Sequence, residues 1–167
     1  MGQPQFVTFR LDGSLPTNRR FTDPNLASGQ AFVAIDHLLD EARSGPTFLC
    51  QRAIAELVEA SILYGKQSKH YDLHAWVIMP NHVHALLTPH IEVSQLLCSL
   101  KSVTAKRANL LLQRTGQPFW QDESYDHLVR NGDDFRRITK YIEYNPVAAC
   151  LARTPEEYRW SSKFEPA

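Results

Sequence analysis

Apolar residues recur along this chain with two periods. Phe6-Val7-Thr8-Phe9-Arg10-Leu11 is dense in aromatic and β-branched residues and predicts a strand. Residues 12–29 contain Gly13, Pro16, Pro24 and Gly29 and predict a long loop. Ile35, Leu38 and Leu39 then fall at helical spacing between Gln30 and Ala42, and Gly45-Pro46 breaks that helix. Ala53, Ile54, Leu57, Val58 and Ile62 predict a second amphipathic helix. Tyr71 to Met79 and His82 to Thr88 read as strands on either side of a Pro80-Asn81 turn, hence a hairpin. Leu96, Leu97, Leu100 and Val103 mark a third helix from Val93 to Arg114, ended by Gly116 and Pro118. Tyr125 to Val129 is a short strand. Asp133 to Asn145 is a last helix, with Phe135, Ile138 and Ile142 on one face and Pro146 as its stop. The order β-α-α-β-β-α-β-α predicts an α+β fold, a mostly antiparallel sheet with helices packed on it.

Composition narrows the class. A chain of 167 residues, 43% hydrophobic and 22% charged, suits one globular domain over 1–167, with its core between residues 5 and 162. A mean hydropathy of −0.34 predicts no membrane span, and no apolar run approaches the ~18 residues a span needs. Met1 to Arg10 contains no apolar stretch of signal-peptide length. Cys50, Cys98 and Cys150 are odd in number, far apart and outside any CxxC pattern. They read as small buried residues in a reducing cytoplasm, with no disulfide framework.

Three clusters carry candidate chemistry. The first is Pro80-Asn81-His82-Val83-His84. Strand side chains alternate, so His82 and His84 project together while Val83 turns to the other face. Two imidazoles side by side on a rigid strand are half of a metal site. Two histidines that merely sit on a sheet surface show the same pattern. The second cluster lies on the last helix, where Tyr141 and Asn145 stand four apart and share a face beside the Ile138 and Ile142 stripe. An amide oxygen suits a hard cation, and a tyrosine beside it is a candidate nucleophile. The plainer reading is a half-buried packing tyrosine and a helix terminator before Pro146. The third cluster is Phe119-Trp120-Gln121 with Glu123, Tyr125, Asp126, His127 and Arg130. Interleaved aromatic and basic residues of this kind stack and clamp single-stranded bases, and an ordinary strand with its turn shows the same composition.

At these residues the chain resembles a known family. Leu73-His74-Ala75-Trp76-Val77-Ile78-Met79-Pro80-Asn81-His82-Val83-His84 is similar to the HUH block of the single-strand tyrosine transposases. Tyr141-Ile142-Glu143-Tyr144-Asn145-Pro146-Val147 resembles their tyrosine helix. Val7 to Leu11 with Ser14-Leu15-Pro16, Trp120-Gln121, Ser124-Tyr125-Asp126 and Trp160-Ser161-Ser162 resemble the REP-associated tyrosine transposases. The resemblance implies a ferredoxin-like antiparallel sheet with the two histidines on a central strand. It implies a divalent metal held by His82 and His84, with Asn145 as third ligand where related insertion-sequence enzymes carry Gln. Imidazole with an amide oxygen suits Mg²⁺ or Mn²⁺ in use. It implies Tyr141 as nucleophile, with Tyr144 as rival. The shared face with Asn145 favours Tyr141. The implied partner is single-stranded or hairpin DNA of the REP-like palindromic kind, cleaved and rejoined through a 5′-phosphotyrosine. A monomer is expected, because one chain carries both the tyrosine and the histidines. Two other classes stay open: a non-covalent metal-dependent nuclease using Glu123 or Asp126, and a hairpin-binding module without catalysis.

Charge at first speaks against a DNA partner, since 18 Lys+Arg balance 18 Asp+Glu. The zero divides along the chain. Residues 95–140 carry Lys101, Lys106, Arg107, Arg114, Arg130, Arg136, Arg137 and Lys140 against five acids. Residues 26–60 carry Arg43 and Arg52 against five acids and cancel that excess. The basic half coincides with the candidate DNA-handling elements. Arg19 and Arg20 in the long loop, Lys101, Lys106 and Arg107 on the third helix, and Trp120 and Arg130 near the fourth strand are the candidate DNA contacts. The balance favours recognition by shape, stacking and a local basic face over sequence-blind duplex binding.

Overall fold

Alternation along two strands generates the architecture. In β1 (Gln5–Leu11), Val7, Phe9 and Leu11 enter one hydrophobic cluster and Phe6 the other. In β3 (His82–Pro89), Val83, Ala85 and Leu87 join the first cluster, and Leu86 joins the second. Both strands are buried over almost their whole length, as central strands covered on both faces must be. The computed structural model describes residues 2–15, 39 and 45–166. The first predicted helix, apart from Leu39, and most of the 12–29 loop lie outside the described residues, as do Arg19 and Arg20.

The other elements are α1 (Arg52–Gln67), β2 (Tyr71–Ile78), α2 (Val93–Leu111), β4 (Trp120–Leu128) and α3 (Gly132–Ala148). The sheet order is β2-β3-β1-β4 with every neighbour antiparallel. This is the α+β arrangement the residue pattern predicts, in the ferredoxin-like form that the resemblance implies. Ile54, Val58 and Ile62 of α1 and Leu96, Leu97 and Ala108 of α2 cover one face. Ile138 and Ile142 of α3 cover the other with Ala75, Val77 and Met79. The C-terminal end of the free edge of β2 is covered by the C-terminal segment, through a Val77–Ser161 bridge and bonds from Ile78 N–H to Trp160 O at 2.8 Å and Ser162 N–H to Trp76 O at 2.9 Å. This pairing occupies the ladder groups at that end of the edge.

Three expectations are corrected. The fourth strand starts at Trp120, five residues before the predicted Tyr125, because Trp120 pairs with Leu11 across a bulge. Pro146 does not stop the last helix. It sits one turn from the end, where its missing N–H removes a single helical bond. The turn beyond closes with bonds from Ala149 N–H to Asn145 O at 2.9 Å and Leu151 N–H to Pro146 O at 2.8 Å. The cysteines are all exposed rather than buried, and none is in a disulfide. Each lies outside the packed stripes: Cys50 in the 3-10 turn before α1, Cys98 on the outer side of α2, and Cys150 past the end of α3.

One contact locks α1 to the sheet. Tyr71 is buried and its hydroxyl donates to Ile62 O at 2.6 Å. Burial pushes its phenol up to about 12. A Cβ on Gly65 would stand 2.5 Å from the Tyr71 ring. Gly65 lies in the last turn of α1, where replacing a helical glycine by alanine gains at most about 1 kcal/mol of helix propensity. Here the anchored ring has nowhere to go, and overpacking costs about 1–3 kcal/mol. Gly65→Ala is therefore expected to lower the urea midpoint, where an ordinary helical glycine would raise it.

Candidate active site

His82 and His84 project from β3 toward the α3 layer and are fully buried. Their Nε2 atoms are 3.1 Å apart, with ring centroids separated by 4.6 Å. A neighbouring group fixes each outer nitrogen. His82 Nδ1 lies 2.7 Å from Asn81 Oδ1, and His84 Nδ1 lies 2.7 Å from Thr8 Oγ1 on β1. The register explains the second bond, since Thr8 is directly opposite His84 and Arg10 opposite His82. The first bond follows from the turn. Met79 N–H donates to His82 O at 2.8 Å, and Leu11 N–H donates to Asn81 O at 2.8 Å, so Asn81 is held against both strands.

Tyr141 approaches from α3. Its ring centroid is 5.7 Å from that of His84 and 6.1 Å from that of Phe6, and Phe6 is itself 5.4 Å from His84. Tyr144 points elsewhere, 49% exposed, with Lys140 Nζ over its ring at 5.6 Å. The helical period therefore brings Tyr141 to the histidines and leaves Tyr144 outside. Asn145 is buried on the same helix, 3% exposed, and is not a helix terminator.

The start of α3 is pinned to the end of β4. Asn131 caps the helix by accepting from Asp134 N–H at 2.9 Å. The Asp134 carboxylate accepts from Arg130 N–H at 3.1 Å, from His127 Nε2 at 3.2 Å and from Arg137. Burial acts to raise its pKa, but these donors outweigh burial and hold it below the usual carboxylate range.

Two predicted DNA contacts are drawn inward instead. Trp120 is 6% exposed, its Nε1–H donates to Thr104 Oγ1 at 2.8 Å, and its ring packs edge-on to Phe9 and Phe119. It is a core residue, because its strand position faces α2. Lys101 Nζ donates to Gln121 O at 2.6 Å, Asp122 O at 2.8 Å and Ser124 Oγ at 3.2 Å, so it ties α2 to β4. Burial lowers its pKa, with Asp122 opposing. Lys106, Arg107 and Arg130 are exposed. Asp126 pairs with Val7 on the opposite face from the histidines.

Arg10, Thr8 and Phe6 join the site with no chemical signal in the sequence beyond strand propensity, and Asn81 joins it from inside the His82–His84 motif, where it read as a turn residue. Arg10 is 3% exposed, and burial lowers its pKa while Glu123 and Asp12 act to raise it.

The donor set fits a divalent ion. Two cis ligands each about 2.1 Å from an octahedral ion stand about 3 Å apart, and the Nε2 separation is 3.1 Å. Among the described residues no group of three or more His, Cys, Asp and Glu comes together, so an acidic third ligand is not supplied. Among the described residues, no helix is long and apolar enough to cross a membrane.

A family model described as transposase IS200 like matches residues 47–145, from the turn before α1 to Asn145. The chain belongs to the IS200-like transposase family. The REP-associated tyrosine transposase of Escherichia coli (strain K12) is 25% identical over 95 residues, which make up 55% of this chain and 54% of that protein. The chain thus spans about half the length of the curated relative it matches. The solved structure of a REP-associated tyrosine transposase bound to a REP hairpin has the same fold, with a TM-score of 0.64 and 20% identity over 96% of this chain and 76% of that one.

The Asp134 network has a pH consequence. A carboxylate held below its unfolded value contributes stability above the unfolded pKa, near 4, and loses it as pH falls through the folded value. Asp134→Asn is expected to cost about 1–3 kcal/mol at pH 7 and to flatten the acid limb of stability against pH, read by urea denaturation at pH 7, 5 and 3.

Proposed function

We propose that this chain is a metal-dependent single-stranded DNA transposase that cleaves and rejoins strands beside hairpins. One observation carries the reading: a tyrosine ring 5.7 Å from a buried histidine whose Nε2 converges with a second at 3.1 Å. Membership in the IS200-like family supports strand transfer. The hairpin in the structure of similar fold supports the substrate class.

In this mechanism the Tyr141 hydroxyl oxygen attacks a backbone phosphorus. The Tyr141 O–P bond forms and the P–O3′ bond breaks. The products are a 5′-phosphotyrosine and a free 3′-hydroxyl, and reverse attack by a 3′-hydroxyl rejoins strands. One phosphodiester replaces another, so no external energy is needed. A free tyrosine has a pKa of about 10 and is mostly protonated at pH 7, so it needs activation. His82 and His84, with Asn145 as third ligand, would hold Mg²⁺ or Mn²⁺, which supplies positive charge to polarise the scissile phosphate and favour tyrosinate. Phe6 packs against both His84 and Tyr141 and keeps the ring in line with the metal side of the sheet. Lys106, Arg107 and Arg130 offer exposed cations to the strand, with Arg19 and Arg20 as further contacts. The tyrosine and histidines of one chain face one another, which supports a monomer. Three free thiols suit a reducing cytoplasm.

The test uses a labelled hairpin oligonucleotide with a single-stranded flank, plus Mn²⁺, on a denaturing gel. The wild type is expected to retain label covalently, and Tyr141→Phe to lose the adduct while hairpin affinity stays within about threefold. An adduct formed by Tyr141→Phe and lost in Tyr144→Phe would move the nucleophile. Cleavage without any adduct would favour a non-covalent nuclease, and binding without cleavage a recognition module.

The metal assignment has its own test. His82→Ala combined with His84→Ala is expected to abolish both cleavage and the heat of Mn²⁺ binding in calorimetry. Full cleavage by the wild type in excess chelator would remove the metal from the reaction.

A further inference from the structure

The hydrogen bonds around the two imidazoles are not equivalent. Asn81 is fully buried, and its Nδ2 donates to Leu39 O at 2.9 Å. A carbonyl only accepts, so this bond decides the amide's orientation and turns Oδ1 toward His82. Oδ1 also only accepts, so His82 Nδ1 at 2.7 Å must carry the proton. In the neutral ring His82 Nε2 is then left with its lone pair toward His84.

His84 has a different kind of partner. Thr8 Oγ1, 2.7 Å from its Nδ1, is a hydroxyl that can donate or accept. Without metal, and with both rings neutral, the 3.1 Å Nε2–Nε2 contact takes its proton from His84, because His82 carries its own on Nδ1. His84 is then Nε2–H, and the Thr8 hydroxyl donates to His84 Nδ1. A metal needs lone pairs on both Nε2 atoms. His84 must then carry its proton on Nδ1, and the Thr8 hydroxyl must rotate to accept it.

We infer that Asn81 and Thr8 are positioning residues with separate tasks. Asn81, oriented from the Leu39 carbonyl, locks His82 in its metal-ready tautomer, while the Thr8 hydroxyl lets His84 exchange tautomers as metal enters. The inference rests on the metal-site reading given above and adds to it residues that do not touch the ion. An outer partner of a ligating histidine typically changes metal affinity 10–100-fold.

Nitrogen-15 NMR of the imidazoles reads the tautomers directly and needs no substitution. In metal-free protein His82 is expected as Nδ1–H and His84 as Nε2–H. With Zn²⁺ as a diamagnetic probe, His84 is expected to become Nδ1–H while His82 is unchanged. Finding His82 as Nε2–H in the metal-free protein would overturn the lock. Calorimetry with Mn²⁺ alone then tests Thr8. Thr8→Val is expected to weaken binding 10–100-fold and Thr8→Ser to restore it to within about threefold. Wild-type affinity in Thr8→Val overturns the role of the hydroxyl and leaves the metal site standing. If wild-type protein takes up no Mn²⁺, the metal-site reading fails and takes this inference with it.

Discussion

The site depends on a single constraint, a strand buried on both faces. β3 lies between β2 and β1, with helices above and below. Its period of two must therefore fill two cores at once. Val83, Ala85 and Leu87 satisfy one core. On the other face stand His82, His84 and Leu86. Placing imidazoles in a buried layer obliges the surrounding elements to provide hydrogen bonds, because a buried polar group without them costs about 1–3 kcal/mol. Thr8 on β1 and Asn81 in the turn meet that demand, and a one-residue slip of register would take Thr8 away from His84.

The second support is the seat of α3. Its N-terminus is fastened by the Asn131 cap and the Asp134 carboxylate, and its stripe of Ile138 and Ile142 lies on β2 and β3. With the helix fixed at its start, the 3.6-residue period decides which tyrosine reaches the sheet. Tyr141 falls beside the Ile138–Ile142 stripe and meets His84. Tyr144, three residues on, falls in solvent. Pro146 interrupts one bond near the end without ending the helix, which leaves Asn145 inside the helix and buried.

Local patterns with a strong period were legible in the sequence. The alternating hairpin, the Ile138–Ile142 stripe and the i, i+4 relation of Tyr141 and Asn145 all follow from chain geometry alone. What the sequence left hidden depended on partners far along the chain. Thr8 looked like a strand residue because its role is set by a register to a position 76 residues away. Trp120 and Lys101 looked like DNA contacts because composition shows aromatic and basic character but not direction. The alternation of β4 sets Trp120 on the same face as Phe9 and Leu11, in the core, and the lysine finds three acceptors on β4. The cysteines misled for the opposite reason: their usual burial is a statistical habit, and none of these three lies on a packed stripe.

Stability alone does not account for the histidine pair. Two neutral imidazoles whose Nε2 atoms face each other share at most one hydrogen bond, and in that place apolar side chains would fill the layer without any desolvation cost. Leu86, two residues along the same face, shows that the layer accepts aliphatic residues. The surrounding sheet, turn and helix nevertheless converge on holding both rings: two outer hydrogen bonds, an aromatic spacer at Phe6, and a helix seated by its own carboxylate network. A buried polar pair supported by several elements at once is what the proposed metal and tyrosine chemistry would account for. The tyrosine is brought to the same point by a different element of the fold, so the convergence is a property of the tertiary structure and not of either short motif.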